Sequence, residues 1–224
     1  MPACENFLGW TYVHWLMAGI VSASTAAVDP LQRLNIDAKQ WWVILTLVVA
    51  QLAITYAIVT MPLGPFKYVL FLFLSVITGS LLSGVFDLVE KKGVLLDVLI
   101  TNVVIFITMS AVGFYDNGNS VGFGGYLFAA LVGLIVGRIG LYIARSSSSA
   151  SEMLGELKTV DLLLSVFTTG LFALYVAYDT SMLKRMARAC AAGKEKPDYI
   201  NGAMGLYIDL MNLFVSTSSL LADD

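Results

Sequence analysis

Seven separate stretches of this chain are long and apolar enough to cross a bilayer, and no other feature limits the fold so sharply. They run approximately over 8–28, 41–62, 66–88, 94–114, 121–143, 159–182 and 199–221. A spanning helix needs about 20 mostly apolar residues. In hydrocarbon every backbone N–H and C=O must be satisfied inside the protein, and a helix does this unaided. The expected fold is an all-α integral membrane protein, a seven-transmembrane-helix bundle forming a single transmembrane domain over residues 1–224. No polar stretch is long enough to fold as a separate soluble core. Charged residues make up only 13% of the chain, against about 25% in an average soluble domain.

The breaks between runs carry turn chemistry. "DPLQRLNIDAKQ" separates the first two, "MPLGP" makes a tight hairpin after the second, and "EKKG" ends the third. "YDNGNS" and "ARSSSSASEMLGELK" follow the fourth and fifth, the serine run reading as a short flexible linker. Trp10, Trp15, Trp41, Trp42 and Tyr199 fall near span ends, where amphipathic rings favour the interface. The opening "MPACENF" has no basic residue of the kind a secretory signal carries, so the first helix is expected to be retained. Charge does not orient the bundle. Lys67, Lys184, Arg185, Arg188, Lys194 and Lys196 lie on the N-terminal side, and Arg33, Lys39, Lys91, Lys92, Arg145 and Lys158 on the other. The positive-inside rule needs an excess, and only the dense cluster between spans six and seven leans toward the cytoplasm.

Several functions are excluded at this level. A net charge of −3 offers no basic face for nucleic acid. His14 is the only histidine, which rules out a two-histidine zinc motif. Cys4 and Cys190 are the only cysteines and fall on the same side of the membrane. Free thiols are the default expectation for them.

Two carboxylates are harder to place. Asp209 sits within "GLYIDLMNLFV" and Asp179 within "YVAYDTSML", both inside apolar runs. Even the lenient insertion scale charges about 2.5–3.5 kcal/mol for such a group at the bilayer centre. If the sixth helix continues through "KRMARACAA", Gly193 is a natural stop and Pro197 suits the first turn of the seventh. Asp179 then lies 14 residues before Gly193 and Asp209 lies 12 after Pro197, so an antiparallel hairpin sets them at one depth. Gly202, Gly205, Asp209, Asn212 and Ser216 share one face of the seventh helix, and Thr168, Phe172, Tyr175 and Asp179 one stripe of the sixth. Two neighbouring carboxylates in such a medium cannot comfortably both ionise. A shared proton or a bound cation would reduce the cost of Asp209. Hydrogen bonding to serine, asparagine or tyrosine as structural glue remains the other reading.

"YDTSML" and "DYINGAMGLYIDLMNLF" resemble the Bax inhibitor-1, or transmembrane Bax inhibitor motif, family over 175–214. "ITGSLLSGVF" and "GFGGYLFAALVGLIV" resemble it more loosely, and length and span count agree. The resemblance implies a seven-helix bundle around a central helix, a paired-aspartate site at Asp179 and Asp209, and a pH-sensitive calcium leak. It further implies a role in cell death and calcium balance, in an intracellular membrane of reticulum or Golgi type or in the plasma membrane. Some family members have a basic latch near the end of the second helix. Here "AIVTMPLGPFK" has no arginine, and Lys67 lies beyond two prolines. Arg138 either substitutes for the latch or snorkels to the interface.

Competing readings differ in class. An intramembrane aspartyl protease would need G-x-G-D around its second aspartate and a P-A-L element, and neither is present. A non-transporting scaffold binding membrane partners would need no flux. No enzyme activity and no cofactor are expected, calcium being the transported ion. Calcium takes 6–8 oxygens; Asp179 and Asp209, supported by Asn212, Tyr175 and Ser216, supply a weak, partly hydrated site. Asp87, Asp97 and Asp161 lie near span ends as solvated or vestibule residues, and His14 reads as packed or interfacial.

Overall fold

The structure, a computed structural model, describes residues 2–28, 41–116, 122–147, 151–194, 196 and 198–222. Among them it is helical without a strand. After a turn of helix at Pro2–Glu5 come α1 (Phe7–Val28), α2 (Trp41–Thr60), α3 (Pro65–Lys91), α4 (Leu95–Tyr115), α5 (Gly124–Ser147), α6 (Ser151–Ala191) and α7 (Tyr199–Ala222). All except α1 are long and apolar enough to cross a membrane. α1 has the length, 22 residues, but Thr11, His14, Ser22, Ser24 and Thr25 dilute its apolar character. Among the described residues the seven long helices expected from the sequence are all present, six of them strongly apolar, and the chain is an all-α membrane protein.

The turns follow their residue chemistry. Pro65 opens α3, where its missing N–H forms no helical bond in any case. α3 ends at Gly93 with φ of 73° and α6 at Gly193 with φ of 70°. At the second, Gly193 N–H bonds the Cys190 carbonyl and Lys194 N–H the Ala189 carbonyl, each at 2.9 Å. That pair of bonds satisfies carbonyls the helix leaves open, and the left-handed backbone suits glycine. α6 runs 41 residues because it begins at Ser151, inside the segment expected to be a linker. Glu152, Met153, Leu154 and Leu157 are good helix formers. Residues 148–150 of that linker, the first loop at 29–40, most of "YDNGNS", and Pro197 lie outside the described residues.

The chain forms two compact units. The first contains α1, α2, α3, the end of α6 from Leu183, and α7 through Ile208. Within it α1 and α2 both pack on α3. The second contains α4, α5, α6 through Met182, and α7 from Asp209. α7 is the most buried spanning helix, with half of its apolar window enclosed. α2 encloses only 11% of its window. Ile44, Leu45, Val48, Val49, Leu52 and Val59 point outward, as a lipid-facing helix requires, because lipid tails are as apolar as leucine, while Val43 and Ile58 face inward.

Candidate functional site

In the second unit, Asp209 is 4% exposed and Asp179 half-buried. Asp209 opens this unit's part of α7, and Asp179 stands one turn beyond Tyr175 on α6. The Asp179 carboxylate acts electrostatically on Asp209, and both act on the Tyr175 hydroxyl. Asp209 Oδ2 is buried without a hydrogen-bond partner. Ser216, on the Asp209 face two turns along, is buried and donates to its own helix at Leu213 O, 3.1 Å away. Its oxygen lone pairs stay available. Asn212 is half-buried on the same face. The arrangement is a proton- or cation-accepting one. Among the described residues no three His, Cys, Asp or Glu side chains gather to hold a metal ion. A hard cation at this pair would keep part of its water.

Arg138 is held elsewhere. Its Nη1 donates to Asp161 Oδ1 at 2.5 Å and its Nη2 to Ser165 Oγ at 2.9 Å. Asp161 is 18 residues before Asp179 on the same helix, about 27 Å at 1.5 Å per residue. Arg138 therefore neither latches the aspartates nor snorkels free, and Asp161 is its ion-pair partner. The close passage of α5 at Gly137 against Leu164 brings the two helices together there. Asp87 and Asp97 are exposed, and Asp87 pairs with Lys91 one turn on.

The first unit contains polar groups that sequence reasoning passed over. Lys67 is completely buried, and its Nζ donates to Asp198 Oδ2 at 2.7 Å and to Met61 O at 3.0 Å. The "DY" of the seventh-helix motif was legible as motif, but nothing in it said that Asp198 receives Lys67 from another hairpin. Beside this pair the Tyr68 and Tyr199 hydroxyls bond each other. His14 stacks within 5.2 Å of the first ring and 5.3 Å of the second, a packed histidine as expected. Trp15, expected at the interface, donates its indole N–H to Leu206 O at 3.3 Å. Tyr207, 1% exposed, meets the hydroxyls of Ser22, Ser75 and Thr78. Cys4 and Cys190 form a disulfide with Cα atoms 5.6 Å apart. The expected free thiols are corrected by the fold: the start of the chain and the end of α6 meet.

Comparison with known proteins adds to this geometry. The family described as "Inhibitor of apoptosis-promoting Bax1" matches residues 4–224. The inner membrane protein YbhL of Escherichia coli K12 is 28% identical over 218 residues, 92% of this chain and 85% of that protein. The protein of the same name from E. coli O6:H1 matches by the same margins. An uncharacterized protein of Deinococcus radiodurans is 26% identical over 216 residues, 94% of this chain and 87% of its own.

Proposed function

We propose, from the premise that this chain belongs to the Bax inhibitor-1 family, that it is a pH-sensitive calcium leak of a cellular membrane whose ion site is the Asp179–Asp209 pair. The observation that carries this reading is Asp209 Oδ2, buried and without a hydrogen-bond partner. Within the same unit Arg138 is already held by Asp161. A carboxylate oxygen left open within the membrane is stabilised by a proton or a metal cation, and exchange between the two is pH sensitivity. Falling pH supplies protons that compete for the same oxygens, so calcium binding at the pair weakens as pH falls. Tyr175, Asn212 and Ser216 support the pair, and water completes the shell. The E. coli relatives are inner membrane proteins, which supports placement in a membrane of the plasma-membrane type. A role in restraining cell death rests on the family's description alone.

The test is calcium binding and flux in liposomes holding the purified protein, from about pH 5 to 8, with Asp179→Asn and Asp209→Asn beside the parent. Binding in the parent is expected to fall toward acid, and each substitution to remove most of that dependence with the fold intact. Asp87→Asn, at an exposed ion pair, is expected to change little. A pH-independent parent profile, or equal effects from Asp87→Asn and Asp209→Asn, counts against the pair. No flux from the parent at any pH favours a partner-binding scaffold.

A further inference from the structure

α4 presents a polar seam inside the second unit. Its buried face runs Val98, Asn102, Phe106, Ser110 and Gly113. Ser110 Oγ meets Thr180 Oγ1 at 3.5 Å, beside Asp179 in sequence, and at the end of α4 Asp116 accepts from Ser181 at 3.2 Å. At the other end Asn102, 3% exposed, faces α7. Its Nδ2 donates to Val98 O at 2.8 Å and to Thr217 Oγ1 at 2.7 Å. Thr217 directs its own proton to Leu213 O at 2.7 Å, so toward Asn102 it can only accept. A carbonyl on one side and a spent hydroxyl on the other fix which end of the amide is nitrogen. Asn102 Oδ1 is then turned to a place where no protein group donates to it.

Among the described residues, the buried side-chain oxygens without a partner in this unit are Asp209 Oδ2, Asn102 Oδ1 and Ser218 Oγ. Each unsatisfied group within a membrane costs several kcal/mol. Ser218 is nine residues from Asp209, half a turn round the helix, and faces away from it. Thr217, which marks where Asn102 sits on α7, is eight residues from Asp209, about 12 Å along the axis. Ser216 lies within about 20° of the Asp209 direction, and Thr217 is turned about 80° from it the other way, at 100° per residue.

We infer that the Asn102 amide oxygen is a second acceptor station for a partly hydrated divalent cation, about two helical turns beyond the aspartate pair. The identity of the ion rests on the calcium-leak reading, but the station itself does not. A neutral amide oxygen suits the purpose: it replaces one water of the ion's shell without adding a charge that would hold the ion. Binding at the charged pair followed by weaker binding at a neutral amide lets an ion enter and leave, as conduction requires.

Two measurements on the full-length protein, with its disulfide intact, test the station. In the first, Asn102→Leu is expected to slow calcium flux into liposomes about tenfold, the loss of one charge-assisted contact, with the pH midpoint set by the aspartates unchanged. Thr217→Val leaves Asn102 Oδ1 in place and is expected to cost far less flux. If the two variants lose flux and melting temperature together, Asn102 merely ties α4 to α7 and the inference is overturned. In the second, Asn102→Cys is treated with a small, charged methanethiosulfonate reagent. Reaction supports a hydrated station even where the parent shows no calcium flux, an outcome that would remove the leak reading alone. A cysteine there that stays inert in a folded protein overturns the station whatever the parent's flux.

Discussion

Lys67 shows how strongly single residues are constrained here. An ammonium with no exposed surface has lost its hydration, and the Asp198 carboxylate with the Met61 carbonyl replaces it. Removing one member of a buried pair strands the other, typically at about 3–5 kcal/mol. Asp198 retains 24% side-chain exposure, which moves the expected cost of Lys67→Met to about 3 kcal/mol, the low end of that range. Asp198→Asn removes the charge from the other side. The double variant is expected to melt closer to the parent than the summed single losses allow, because neither charge is then left alone. Thermal melting of the four purified proteins in one detergent measures this. Strict additivity would mean that the two residues do not depend on each other. Asp209 differs from both: its open oxygen has no protein cation to strand, so Asp209→Asn is expected to leave melting close to the parent while it changes binding.

Among elements, the close crossings depend on glycine. A Cβ built at Gly79 of α3 would lie 2.5 Å from Ser22 O and 2.8 Å from Thr25 Cβ of α1. At Gly113 of α4 it would fall onto the Ala177 carbonyl and 2.8 Å from Thr180 Cβ of α6. At Gly202 of α7 it meets the tip of Leu183, which can turn aside. Gly79→Ala and Gly113→Ala are therefore expected to cost about 1–3 kcal/mol by overpacking against backbone, and Gly202→Ala distinctly less. Melting temperatures that fall equally for all three would show that backbone proximity is not what matters. These crossings also mark the limit of what the residues revealed in advance. Span positions, the Gly193 stop and the helical continuation before it were legible because they depend on local chemistry and on periodicity. That Asp179 and Asp209 come near enough to act on each other electrostatically was legible through their symmetric distance from one turn. The partners of Arg138 and Lys67 were not, because each lies on another segment of the chain and its choice depends on how far a helix is rotated. Asn102 was missed for the same reason: one asparagine in an apolar run shows no sign of which oxygen it leaves open.

Across the whole molecule, charge and the disulfide together bear on which face meets the cytosol. Basic residues divide six and six between the two sides, so the charge rule supplies no net preference, only the local pull of Lys184, Arg185, Arg188, Lys194 and Lys196. The disulfide adds a signal of another kind, since it joins Cys4 to Cys190 within that same cluster. Such bonds persist in oxidising compartments and are rare where glutathione and thioredoxin keep thiols reduced. A tie in charge cannot oppose this, so the end bearing Cys4 and Cys190 is expected to face away from the cytosol. In intact cells the two thiols are then unreactive to a membrane-impermeant maleimide until an impermeant phosphine reduces them from outside, after which both label. Labelling only after the cells are opened would place this end in the cytosol, and the basic cluster would then be the true guide to orientation. The bond closes a loop across a sequence separation of 186, yet helices held in a bilayer have already lost much of the freedom that such closure removes in water. Cys4→Ser is thus expected to lower stability by less than the roughly 4.7 kcal/mol that chain entropy assigns to a 100-residue loop. The loss is expected to fall on unit 1, where Lys67 and Asp198 also lie. Hydrogen exchange that quickens at the end of α6 and the start of α7, but not in α4, is the result that agrees.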